Sequence, residues 1–262
     1  MNLEVLVSTM NQTDYNLLEK MNIQSDAIII NQCKTNRVEK FNFKGNTIKM
    51  FSFDEKGVGL SRNNALMRTT AEIALFADED VTYVDNYKEI VINGFKSNPD
   101  ADMLIFNVPS KNQERPLHFI NKERRVRLYN CLKYGAVSIA IKTERLKKKN
   151  IYFSLLFGGG ARYSAGEDSL FISDCLKKGL KIYTNPNVIG YVSQENSSWF
   201  EGYTEKYFFD KGAFFASFSR RGAILFCLQY AFRHRSTYKG VYSNIQIIRL
   251  MLNGIKHYNR QN

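Results

Sequence analysis

Short apolar runs recur through the first hundred positions, at residues 4–9, 26–31, 47–51 and 73–77, and the polar stretch before the last of them, about 61–70, has helical spacing. Strand-like and helix-like segments in alternation predict an α/β domain built on a mostly parallel sheet. Asp85 is placed to cap a further helix that runs to about Ser97 and stops at Pro99, and Met103 to Phe106 reads as another buried strand. Residues 109–127 are polar and basic, as in a surface excursion, and residues 136–141 restore a strand. Gly158, Gly159 and Gly160 form a turn, residues 168–178 have helical spacing closed by Gly179, and strands at 181–184 and 188–192 flank Pro186. No internal repeat is visible.

Open sheets of this kind bind ligands beyond the carboxyl ends of their strands, here Ser8–Asn11, Asn31–Cys33 and Asp78–Asp80. Three strand ends therefore converge on one candidate site. The pattern divides the chain into an α/β domain over residues 1–198, in two halves (1–108 and 109–198), and a basic aromatic helical tail over 199–262. In the tail Tyr203, Tyr207, Phe208, Phe209, Phe214, Phe215 and Phe218 alternate with Lys206, Lys211, Arg220 and Arg221. Two readings stand for it: helices lying on an anionic bilayer, or the aromatic core of an appendage packed on the sheet.

At 262 residues the chain can bury a sizeable core, and 37 Lys and Arg against 25 Asp and Glu leave a net charge of +12. Such an excess favours polyanionic partners without choosing among nucleic acid, anionic lipid and phosphorylated substrates. The four cysteines, Cys33, Cys131, Cys175 and Cys227, are scattered without a C-x-x-C pair, so neither a disulfide framework nor a zinc site is expected and a reducing cytosol fits. The first residues lack a basic start, so no signal peptide is expected, and the most apolar late stretch, residues 222–232, is well short of the about 20 residues a spanning helix needs. Any membrane contact is expected to be peripheral, on the cytoplasmic face.

The chemistry is carried by acids. Asp78, Glu79 and Asp80 end a buried strand, and the first and last are hard oxygen ligands at alternate positions, suited to Mn²⁺ or Mg²⁺ that also binds a substrate diphosphate. Asp168, opening a helix after a glycine-rich approach, is the candidate general base; the bland alternative is that Glu167 and Asp168 serve only to complement the helix dipole. Gly57 and Gly59 permit a tight loop, after which Ser61 can cap a helix and bring free N–H groups and Arg62 to a diphosphate. The competing role for Arg62 is a surface ion pair. Trp199 is the only tryptophan, able to stack on a sugar ring or to anchor the tail.

The order Ser8-Thr9-x-Asn11, Gly59-x-Ser61-Arg62-Asn63-x-Ala65, Asp78-Glu79-Asp80 and Gly166-Glu167-Asp168-x-x-Phe171 resembles the family 2 glycosyltransferases of bacterial polysaccharide type, over residues 3 to 195. That resemblance implies a GT-A-like mixed, mostly parallel sheet flanked by helices, and inverting transfer from a nucleotide-diphosphate sugar, UDP-linked, to a glycan or lipid-linked glycan of a cell-surface polysaccharide such as a capsule. It implies donor contacts from Ser8, Thr9, Asn11, Arg62, Asn63, Asp78, Glu79 and Asp80 and metal binding through Asp80 and Asp78; the acceptor contacts expected from Gly159, Gly160, Glu167 and Trp199 rest on the residues themselves, Trp199 lying beyond the matched span. Two departures stand out. The second strand ends in Asn31-Gln32 rather than an Asp-rich turn, leaving an amide to pair with uracil, and Tyr191-Val192-Ser193-Gln194 replaces the histidine expected after the last strand. The three histidines, His118, His234 and His257, read as surface or helix residues.

Two other classes make different demands on the sequence. A sugar-nucleotide nucleotidyltransferase calls for a Gly- and Lys-rich loop after the first strand, which Ser8-Thr9-Met10-Asn11-Gln12 is not. A nucleic-acid-binding protein calls for cations and aromatics on the sheet, whereas here acids occupy the strand ends and no nucleic-acid partner is expected.

Overall fold

Strand β1 (Leu3–Met10) is buried along nearly its whole length, with Leu6 in the core on one face of the sheet and Val5 and Val7 in the core on the other. The computed structural model describes residues 1–114, 116–194, 202–238 and 240–261. After a short helix α1 (Asn16–Lys20), β2 (Asp26–Gln32) pairs parallel with β1. The hairpin β3 (Arg37–Phe43) and β4 (Asn46–Phe53) closes one edge of the sheet. Helix α2 (Val58–Arg68) leads to β5 (Ile73–Asp78) and the short β6 (Val81–Tyr83), and α3 (Tyr87–Ser97) leads to β7 (Met103–Asn107). Then follow β8 (Ile139–Lys142), α4 (Thr143–Lys149), α5 (Glu167–Lys177), β9 (Ile182–Val188) and β10 (Gly190–Val192). Four helices finish the chain: α6 (Glu205–Phe218), α7 (Ala223–Arg233), α8 (Arg235–Tyr238) and α9 (Asn244–Asn259).

The main sheet has the order β3-β4-β2-β1-β5-β8-β7-β9, with β4, β2, β1 and β5 parallel and β3 and β8 antiparallel to their neighbours, while β6 and β10 form a separate ribbon. This is the mixed, mostly parallel α/β sheet with a C-terminal helical cluster that the pattern predicts. Register matters for function: Ser8 lies opposite Asp78, Thr9 opposite Asn31 and Met10 opposite Gln32, so the carboxyl ends of β1, β2 and β5 are level.

Several local expectations need correction. Strand β3 adds to the predicted elements; its exposed, charged edge carries little apolar signal. Residues 136–138 form a 3-10 turn, leaving the strand to start at Ile139. Strand β9 runs through Pro186 to Val188, and only residues 190–192 of the expected last strand form a separate one. The first residue before α3 is Asn86, and Asp85 instead accepts hydrogen bonds from Asn22 and Gln24.

The aromatics of α6 go inside. Phe208, Phe214, Phe215 and Phe218 join the core on the same face of the sheet as Leu6 and Phe76, and Phe214 meets Phe157 edge to face. Two glycines let α6 and α9 touch backbone to backbone: a Cβ on Gly212 would sit 1.9 Å from the Met251 carbonyl oxygen, and one on Gly254 would sit 1.9 Å from that of Phe209. Asp210, buried on α6, accepts from the backbone and hydroxyl of Ser164 at 2.9 Å each and ties the cluster to the segment before α5.

Candidate active site

Arg62 is the hub of the site. It projects from α2, is buried, and donates from Nη2 to both oxygens of Asp78 at 3.0 Å and from Nη1 to Asp168 Oδ1 at 2.7 Å and Glu167 Oε1 at 3.2 Å. Three carboxylates from two distant stretches of sequence thus converge on one guanidinium. Burial alone would pull the Arg62 pKa down, but Asp78, Asp168 and Glu167 outweigh it and hold the cation firmly charged. The acids show the other side of the balance. Burial raises Asp78, with Arg62 opposing; burial and then Asp78 raise Asp80; burial and then Asp168 push Glu167 up to about 7. Asp168 is held on both oxygens, since Oδ2 accepts from the Ala136 backbone at 2.9 Å.

A cavity of about 600 Å³ opens at the level strand ends, within the range of pockets that hold a nucleotide-sized ligand. Its floor is acidic, formed by Asp78, Glu79, Asp80 and Asp168. On the β2 and β4 side it is lined by Gln32, Lys56 and Gly57, and on the β7 side by Phe106, Val108, Tyr134 and Val137. Ser8 and Thr9 line it from β1, Ser8 accepting from the Ser61 hydroxyl at 2.9 Å. Glu79 turns toward the loop after β1, accepting from Thr9 and, at 3.0 Å, from Gln12 Nε2.

Other expected residues lie behind the wall rather than on it. Asn63 bridges to the Phe153 backbone, donating at 2.9 Å and accepting at 2.8 Å. Asn31 likewise pairs with the Gln12 backbone and donates to Ser52 Oγ at 3.2 Å. Gln32 reaches the cavity, but its amide already holds Gly57, donating to the carbonyl at 3.0 Å and accepting from the N–H at 3.2 Å. Asn11, with a left-handed φ of 52°, donates its N–H to the Gln32 carbonyl at 3.1 Å and so ties the ends of β1 and β2. Gly159 lines the cavity and its carbonyl accepts from Val58 N–H at 2.9 Å, whereas Gly160 is not on the wall and packs against Lys56 and Gly57. Glu167 faces Arg62 and the Gly166 N–H. Trp199 falls outside the described residues.

Sequence reasoning missed the residues that the 109–138 segment contributes. His118 is a surface residue, as expected, but it and the exposed Lys133 line the cavity beside Tyr134: His118 meets the Tyr134 ring edge on at 5.7 Å and Lys133 Nζ lies 5.4 Å from its centroid. Burial, then Lys133, lowers the His118 pKa. No periodic signal marks this irregular stretch; its basic composition was the available hint. Ser193 and Gln194 line the cavity beside Asp80, whose carbonyl accepts from Ser193 N–H at 3.1 Å.

No protein-family model matches the chain, and no curated protein does. Solved structures do. S. aureus TarS residues 1–349 in complex with UDP-GlcNAc matches with a TM-score of 0.69 and 17% identity, over 98% of this chain and 80% of that one. The fold is GT-A-like. TarS 1–349 in complex with UDP matches over 100% of this chain and 92% of that one at a TM-score of 0.61 and 17% identity, and the longer TarS structure over 99% and 49% at 0.65 and 16%. At such identities the likeness is one of architecture, and function must be argued from the residues of the site itself.

The residues fit a divalent cation in a limited sense. Among the described residues no group of three or more His, Cys, Asp or Glu is placed to hold a metal ion by itself. Mg²⁺ and Mn²⁺ chemistry with diphosphates needs only one or two carboxylates, the substrate supplying the remaining oxygens. Asp80 suits this role: it lines the cavity, burial and the neighbouring Asp78 disfavour its charge, and among the described residues no Lys or Arg pairs with it. Asp78, already bound to Arg62, would stand second.

Proposed function

We propose that the protein is a metal-assisted, inverting glycosyltransferase that moves a sugar from a UDP-linked donor to a glycan hydroxyl. The observation that carries this reading is that Asp78, Asp80 and Asp168, about ninety residues apart in sequence, line one cavity at the carboxyl ends of β1 and β5. Gln32 and Lys56 on the β2 and β4 side suit the nucleotide, and the apolar shelf of Phe106, Val108 and Val137 beside Tyr134 suits the acceptor sugar. The UDP-GlcNAc in the TarS complex supports a UDP-sugar as donor.

In this reading Asp168 takes the proton of the acceptor hydroxyl as that oxygen bonds to the anomeric carbon, while the bond from that carbon to the diphosphate oxygen breaks on the opposite face and the nucleoside diphosphate leaves with the electron pair. Arg62 and the Ala136 N–H hold the Asp168 carboxylate in place during the transfer. Mn²⁺ or Mg²⁺ at Asp80 and Asp78 would neutralise charge on the departing diphosphate. We further infer a lipid-linked glycan of a cell-surface polysaccharide as acceptor, with transfer at the cytoplasmic face of the membrane; the basic character of the helical tail supports that placement.

The test is a thermal-shift panel of UDP-, GDP- and dTDP-sugars with and without Mn²⁺, followed by turnover of the donor that binds. A saturating UDP-sugar with Mn²⁺ is expected to raise Tm by mass action. Asp168→Asn is expected to keep that shift and lose about 10²- to 10⁴-fold in turnover. No shift with any donor, or undiminished turnover in Asp168→Asn, overturns the proposal.

A further inference from the structure

Helix α7 is built inside out. Its small residues Ala223, Cys227 and Ala231 are buried at 1%, 0% and 0% exposure, while Ile224, Leu225 and Phe232 stand 58%, 69% and 66% exposed. At about 100° per residue, Ile224, Leu225 and Phe232 of α7 fall on a single stripe of roughly 100°. A helix packed only as part of a core would put its large aliphatic side chains inside. Scattered exposed apolar residues are ordinary, but a helical stripe of them flanked by charge marks an interaction surface.

The flanking charge is of one sign. Arg220 and Arg221 precede the stripe and Arg233 and Arg235 follow it, all exposed, and residues 211–262 hold nine Lys or Arg and no Asp or Glu. This choice of charge selects the occupant. A second copy docking isologously through the same stripe would bring arginines against arginines with no carboxylate from this segment to pair them. An acid-rich lipid surface meets both requirements, apolar depth for the stripe and negative charge for its rim. The helix has 11 residues, and no helix of the described residues is long and apolar enough to cross a membrane, so α7 would lie in the interfacial plane.

We propose that α7 is the membrane-binding element of this protein, seating Ile224, Leu225 and Phe232 among the acyl chains of an anionic bilayer with Arg220, Arg221, Arg233 and Arg235 at the headgroups. The aromatic residues of α6 take no part, because they are spent on the core. The proposal stands on this helix alone and does not require the sugar-transfer reading; vesicle binding and donor binding are read separately, so either can fail without the other.

The experiment is co-sedimentation of the full chain with phosphatidylglycerol–phosphatidylcholine vesicles and with phosphatidylcholine vesicles alone. Wild type is expected to sediment with the anionic vesicles, less so as salt is raised, and only weakly with the neutral ones. The triple variant Ile224→Ser, Leu225→Ser, Phe232→Ser is expected to lose at least about tenfold in affinity, and Arg220→Gln with Arg221→Gln to lose roughly fivefold per arginine. Because all these positions are exposed, Tm is expected to hold, which serves as the folding control. An independent readout is Leu225→Trp, whose emission should move to the blue on adding anionic vesicles. Wild type that binds neither vesicle, a triple variant that sediments like wild type, or a wild-type dimer in light scattering that the triple variant abolishes without any vesicle binding would each overturn the proposal.

Discussion

Two partly or wholly buried cations show how differently the sheet and the helical cluster are held together. Arg62, beneath the cavity, is met by Asp78, Asp168 and Glu167, and its charge is reinforced. Lys211, on α6, has no carboxylate partner among the described residues; its Nζ lies 5.3, 5.5 and 5.7 Å from the ring centroids of Tyr207, Phe214 and Tyr230, and burial lowers its pKa. The first cation organises charge and is indispensable to its partners. The second is tolerated among aromatic faces, and the packing around it is what counts.

The sharpest way to break this contrast is to remove the charge from Arg62. Arg62→Met leaves three carboxylates clustered without their cation, and loss of one partner of a buried ionic group costs roughly 3–5 kcal/mol. Urea denaturation at neutral pH should show that loss. A variant as stable as wild type would mean that the acids relax toward water and that the hub is not structural.

The same contrast explains what could be read from sequence. The end of β5 and the start of α5 were legible because a both-sides-buried strand such as Ile73–Asp78 is a continuous apolar run, and the acids that follow it have one place to go. What stayed hidden was which polar residues face the cavity. Asn31 and Asn63 look like ligands in a linear motif yet spend their amides on backbone groups, while His118 and Lys133 reach the cavity from a stretch with no regular period. In the helical cluster, composition could not say which aromatics point inward, because that is decided by the closeness of α6 and α9, and hence by two glycines rather than by any aromatic residue.

That closeness gives the second expected effect. An alanine in an open helix interior would be up to about 1 kcal/mol better than glycine. At Gly254 the added methyl would meet the Phe209 carbonyl oxygen at 1.9 Å, a backbone atom with no rotamer to yield, so Gly254→Ala is expected to cost roughly 1–3 kcal/mol, near the upper end. Thermal unfolding that shows a rise in Tm would mean that the helices do not cross there as described.

A third, smaller effect is proton-linked and belongs to the sheet side alone. The Glu167 pKa is raised from 4.5 to about 7, chiefly by burial and then by Asp168, with Arg62 opposing. The folded state therefore binds a proton that the unfolded state has released, and stability falls as pH rises from about 4.5 through about 7. In Glu167→Gln this part of the slope should vanish, so that the variant gains on wild type between pH 5 and pH 8 in parallel denaturation curves. An unchanged slope would place the proton uptake on other acids.

The smallest effect is expected at Lys211, and its sign is the point. Lys211→Met keeps an unbranched stem among the three rings, forfeits the cation–π attraction of about 0.5–1 kcal/mol or somewhat more, and removes the cost of desolvating an ammonium that has no carboxylate beside it. The two terms oppose, so the net change at pH 7 should stay within about 1 kcal/mol. The pH dependence separates them. A lysine whose folded pKa is lowered from 10.5 burdens the folded state while it is charged, so wild-type stability should rise relative to Lys211→Met as pH climbs toward 10.5 and the folded state sheds the proton first. Glu167 makes the sheet side lose stability as pH rises across the neutral range, and Lys211 makes the helical side gain it in the alkaline range. Denaturation series at both ends of the scale, with each variant set against wild type, would therefore show the two regions responding to protons in opposite directions, and a Lys211→Met curve that runs parallel to wild type up to pH 10.5 would remove the burial cost from the account and leave the aromatic cage as the reason the cation is there.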